Sequence, residues 1–119
     1  GVTHSLAHAL STVCDLHHGL ANGIMVPYAM AFNRSVVPGR LGTLALTVGT
    51  IAHNPDAFVE WLVALKEQIG IPKTLAEVGV TRAHLPKLVA VAVADPCHAS
   101  NPRPVSAEDF QALFEEAGL

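Results

Sequence analysis

From Val2 to about Cys14 the apolar residues Leu6, Leu10 and Val13 recur at i, i+4 and i+7, a spacing that predicts a helix with one buried stripe. From Gly19 to Phe32 the pattern changes. Leu20, Ile24, Met25, Val26, Tyr28, Met30 and Phe32 leave almost no polar face, which places this second helix at the centre of a bundle. Pro27 should kink it or be taken up by a local break, and Asn33 is its stop. Val37-Pro38-Gly39 signals a turn, and Leu41 to Ala52 reads as a helix threaded with Gly42 and Gly49, glycines that allow a neighbouring helix to pack closely. Asn54-Pro55 is a strong helix start. Beyond it Phe58, Trp61, Leu62, Leu65 and Ile69 fall on one face, with Glu60, Lys66 and Glu67 facing away, until Gly70 and Pro72 end the segment.

Thr74 to Val78 allows one short turn of helix, closed by Gly79. Leu85 to Ala94 fits a strand as well as a helix, and is read as a helix because no partner strand exists elsewhere. Asp95 to Pro104 is a polar loop whose three prolines forbid a continuous helix. Ser106 and Asp109 form a capping-box start for a last helix that buries Phe110, Leu113, Phe114 and Ala117. The expected fold is all-α, a multi-helix bundle forming a single domain over residues 1–119.

Composition sharpens that picture. Half of the 119 residues are hydrophobic and 14% are charged, so few charges must cover much surface. Part of that surface is expected to pack on a further domain or a second subunit, making the protein a homo-oligomer. The net charge of -3 and the scattered Lys and Arg argue against nucleic acid and against an anionic membrane. Cys14 and Cys97 suggest neither a disulfide framework nor a cysteine-ligated zinc, and point to a reducing cytoplasm. The most apolar run, Leu20 to Phe32, is too short to span a bilayer and lacks the basic flank of a signal peptide. A start at Gly1 that enters a helix almost at once reads as a cut through a longer protein. There is no Gly-rich phosphate loop, repeat or Ser-His-Asp arrangement.

The chemistry is concentrated at the beginning. Four of the seven histidines lie within the first 33 residues. His4 and His8, four apart, leave one face of the first helix, and a chain that turns back near Asp15-Leu16-His17 aims His18 at the same face. Imidazoles converging from two helices suit a divalent transition metal. A histidine pair at i, i+4 is ordinarily a helix-surface feature, but three such residues in one sparsely charged block weigh toward a site. Lying near the apolar stripe of the first helix, His4 and His8 should be partly buried. His17 is read as a partly exposed neighbour, able to touch a ligand without being one.

Three blocks, G-V-x-H-x-x-A-H-x-L, D-L-H-H-G-L-A-N-x-I-x-x-P and N-P-R-P-x-S-x-E-D, resemble the iron-containing, or group III, alcohol dehydrogenases along the whole chain. The resemblance implies the all-helical, C-terminal, metal-binding domain of an enzyme whose N-terminal α/β domain binds NAD or NADP and is missing here. It makes His4 and His18 metal ligands and sets His8 beside nicotinamide and substrate. Cys97 becomes a pocket-wall residue on a loop at the mouth of the cleft, a reading balanced by that of an ordinary half-buried cysteine. The family's other two ligands, an aspartate and a histidine four residues later, come from upstream. The implied cofactors are a divalent metal, Fe2+ first with Zn2+ or Ni2+ as alternatives, and NAD or NADP. The implied substrate is a small alcohol or aldehyde, and the isolated chain should be inactive. The alternatives are the maleylacetate reductase or glycerol dehydrogenase branch, and a non-catalytic helical module that binds a partner protein.

Overall fold

Leu6 and Leu10 of the first helix are fully buried, and the largest side chains of the core collect around them. In the computed structural model, which describes residues 1–119, α1 (Val2–Cys14) is followed by α2 (His18–Asn33), α3 (Pro38–Thr47), α4 (Pro55–Gln68), α5 (Leu85–Ala94) and α6 (Ala107–Glu116). Short 3-10 turns at Ala76–Val78, Arg82–His84 and Pro96–Ser100 fill the connections, and there is no strand. The fold is the expected all-helical one, and the ambiguous run Leu85–Ala94 is a helix.

The main core joins α1, α2, α5 and α6 through Leu6, Leu10, Ile24, Met25, Leu88, Phe110 and Phe114, with Leu75 and Val80 contributed from the connection between α4 and α5. Ala7 and Ala9 on α1 and Ala21 and Ala29 on α2 are all fully buried, and their small size lets elements approach closely. A second, smaller cluster of Leu41, Ala45 and Phe58 ties α3 to α4, with Trp61 stacked on Phe58 at 6.0 Å between centroids. At 40 × 30 × 19 Å the molecule is about two helix layers thick.

Three features depart from the sequence pattern. The third helix begins at Pro38 and ends at Thr47, because proline needs no N–H in a first turn and so starts the helix it was expected to precede. Gly42 does permit a close approach, but of chain and not of a helix: a Cβ there would stand 3.1 Å from the carbonyl of His53. The third departure is Lys66, expected to face solvent. Only 7% of it is exposed, while Ile69, expected on the buried face, is largely in solvent. The cause lies in α2, which continues unbroken through Pro27. Proline supplies no N–H to the carbonyl of Gly23 and crowds the ladder beside it. Lys66 Nζ donates to the next carbonyl, that of Ile24, at 2.9 Å, and lies 5.5 Å from the centre of the Tyr28 ring.

The segment Asp95–Pro104 is ordered by its own side chains. Asp95 accepts the Cys97 N–H and Pro96 takes the first position, so a 3-10 turn forms where a loop was expected. Asn101 then clasps both ends of the first helix pair. Its Oδ1 accepts from Val2 N at 3.2 Å and Asn33 Nδ2 at 3.1 Å, while its Nδ2 donates to Asn33 Oδ1 at 2.7 Å and to the Arg103 carbonyl at 2.7 Å. A side chain 99 positions away in sequence thereby caps the start of α1.

Candidate functional site

His4 and His8 stand one turn apart on α1. Asp15 ends that helix in the left-handed region, at φ 53°, with its N–H on the carbonyl of Leu10. Aspartate tolerates this conformation better than most residues. The chain reverses, and His17 Nδ1 accepts the N–H of Gly19 at 3.2 Å, capping α2 so that His18 is its first residue. His17 is therefore engaged as a cap.

The reversal brings three imidazoles together. Ring centroids are 5.8 Å apart for His4 and His8, 5.7 Å for His4 and His18, and 5.0 Å for His8 and His18, the last pair stacked at 24°. Of the two α1 histidines expected to be partly buried, His8 is, whereas His4 is exposed, because the apolar stripe of α1 turns into the core and leaves this face outside; His18 is exposed as well. The amide of Asn22, one turn along α2, places Nδ2 3.0 Å from His18 Nε2 and 3.1 Å from the His18 carbonyl.

The third histidine has a partner that the sequence pattern did not single out. Asp95, at the C-terminal end of α5, places Oδ2 2.7 Å from His8 Nδ1. Its Oδ1 accepts from Ser5 Oγ at 2.8 Å and from the Cys97 N–H at 2.8 Å. Burial works against ionisation of this carboxyl, but the bonds from His8, Ser5 and Cys97 outweigh it and hold Asp95 well below the usual carboxylate range. Cys97 Sγ lies 4.0 Å from His8 Nδ1, and the adjacent Asp95 pushes its thiol up, making it a poor thiolate. His8, Asp95 and Cys97 thus form one cluster at the edge of the imidazole triangle. Within the run Asp-Pro-Cys, the signal available for Asp95 was its capping position ahead of a proline.

Residues 1–118 match the C-terminal part of the Fe-containing alcohol dehydrogenase family. The chain belongs to that family. It is 32% identical over 123 residues to the lactaldehyde reductase of Escherichia coli K12, an alignment covering 98% of this chain and 32% of that enzyme. The solved 1,3-propanediol oxidoreductase superposes with a TM-score of 0.93 at 27% identity, covering 98% of this chain and 32% of that one. Maleylacetate reductase from Rhizobium sp. strain MTP-10005 superposes at 0.78 with 30% identity, covering 98% and 31%. The chain thus spans about a third of the length of these Fe-containing alcohol dehydrogenase relatives. No helix is long and apolar enough to cross a membrane.

The residues at the centre fit the iron for which the family is named. Imidazole nitrogen is a good donor for iron(II), zinc and nickel alike, and the exposed rings of His4 and His18 need no burial reversed to reach one.

Proposed function

We propose that this chain is the metal- and substrate-facing C-terminal part of an NAD(P)-dependent alcohol dehydrogenase that transfers hydride between a small alcohol or aldehyde and nicotinamide. His4 and His18 hold a divalent cation, iron(II) in first place with zinc or nickel as alternatives. An aspartate and a histidine from an upstream nucleotide-binding domain complete its ligands. The bound cation supplies Lewis-acid polarisation of the substrate oxygen. His8 lies beside the nicotinamide and the substrate, Cys97 lines the pocket wall, and His17 contributes by starting α2. The observation that carries this reading is the convergence of three imidazoles from two helices, at 5.0–5.8 Å, on an open face. The family membership of residues 1–118 supports it.

The 30% identity to a maleylacetate reductase favours a second reading, reduction of an unsaturated keto acid at the same centre. Turnover with propane-1,2-diol against turnover with maleylacetate separates the two. Metal content measured beside turnover tests the site, in the polypeptide that carries the upstream domain. His4→Ala and His18→Ala should lose metal and activity together. His8→Ala should keep most of the metal yet turn over slowly, and His17→Ala should do least. A His8 variant that loses its metal would move His8 among the ligands and overturn this assignment.

A further inference from the structure

Asp95 takes part in three hydrogen bonds. Oδ1 already takes the Ser5 hydroxyl and the Cys97 N–H, and Oδ2 faces His8 Nδ1 at 2.7 Å. An ionised carboxylate can only accept, so the proton of a neutral His8 must sit on Nδ1. The Nδ1 edge of the ring is closed in by Asp95 and Cys97, yet 40% of the His8 side chain remains exposed. Nε2, on the opposite edge of the ring, takes part in none of these bonds.

We propose that Asp95 is a positioning residue for His8, fixing its Nδ1-protonated tautomer so that Nε2 offers a hydrogen-bond acceptor to a hydroxyl group in the cleft. The hydroxyl is that of an alcohol substrate or of a cofactor ribose, and both present the same O–H donor. This inference rests on the role given to His8 above. The same geometry disfavours His8 Nδ1 as a metal ligand, although Asp95 and Cys97 stand beside it. That nitrogen carries a shared proton, and the thiol next to it is held protonated. Ser5, fully buried between His4 and His8 on α1, adds stiffness by anchoring the carboxylate from the same helix that carries the ring.

Long-range proton–nitrogen correlation spectra of the metal-free chain, labelled with nitrogen-15 histidine and held at a pH where imidazole is neutral, read the tautomer directly. His8 should show a protonated Nδ1 and an unprotonated Nε2. Asp95→Ala should return it toward the Nε2-protonated form that imidazole favours in water, whereas Cys97→Ala should leave it unchanged. The wild-type spectrum decides the matter even if the Asp95 variant fails to fold, because an Nε2-protonated His8 overturns the inference. In the polypeptide with its upstream domain, Asp95→Ala should keep its metal and lower kcat by about 10–100-fold, with a smaller change in KM. The alcohol substrate is implicated if varying it shifts that loss, and the ribose if cofactor KM moves instead. Unchanged kcat in Asp95→Ala beside a slow His8→Ala would sink the positioning role and leave that of His8 intact. Unchanged kcat in His8→Ala would instead remove the reading on which both depend.

Discussion

Ser11 and Lys66 show how single side chains on these helices are balanced. Ser11 lies on α1 one turn beyond His8, and its hydroxyl is buried without a protein partner. An unsatisfied buried hydroxyl costs about 1–3 kcal/mol, and alanine is the better helix former. Ser11→Ala should therefore stabilise the chain by about 1 kcal/mol, seen as a higher denaturant midpoint; a lower midpoint would mean that the hydroxyl is satisfied after all. Lys66 carries a different burden. Burial holds its ammonium below the ordinary lysine value. The unfolded chain then binds more protons than the folded one between the two values, so stability rises with pH across that window. Relative to Lys66→Met, the wild type should gain in Tm as pH climbs toward about 10.4, the ordinary lysine value. A gap that widens against the wild type at alkaline pH would contradict the assignment.

At the scale of elements, the first helix depends on a residue at the far end of the chain. Asn101 caps Val2, pairs with the buried Asn33 and accepts or donates nothing that solvent could easily replace. Asn101→Ala leaves the Asn33 amide without its partner, so a loss of about 2–3 kcal/mol is expected. Hydrogen exchange should localise the damage to the first turn of α1, near His4, and protection unchanged there would show that the cap is dispensable. This dependence marks the boundary of what the sequence made legible. Helices α1, α2, α4 and α6 could be read from periodicity and caps, because Leu6 and Leu10, Asn54 with Pro55, and Ser106 with Asp109 act on their own neighbours. The three histidines were legible for the same reason, being set by a helix repeat and one reversal. Lys66, Asp95 and Asn101 were not. Each is defined by a partner 42 to 99 residues distant, at Ile24, Ser5 and Val2, and no local pattern encodes such a pairing.

For the whole molecule, the division into two clusters has a consequence. The α3–α4 unit exposes Ile51 completely and leaves Leu46 and Leu44 about half in solvent, apolar surface that a main core elsewhere cannot cover. The chain should therefore self-associate at high concentration, and Ile51→Lys should weaken that association in sedimentation equilibrium. A clean monomer for the unaltered chain would count against it. The imidazole face lies on the other unit, so association through α3 and α4 would leave the histidines open.

Zinc titration of the isolated chain, read by calorimetry and by histidine nitrogen shifts, bears most directly on the claim that this face is half of a metal centre. The account predicts weak binding that perturbs His4 and His18, disappears in either alanine variant, and survives Cys97→Ala. Tight stoichiometric binding that persists without His4 or His18 would show that the chain holds its metal elsewhere, and the half-site account would be wrong.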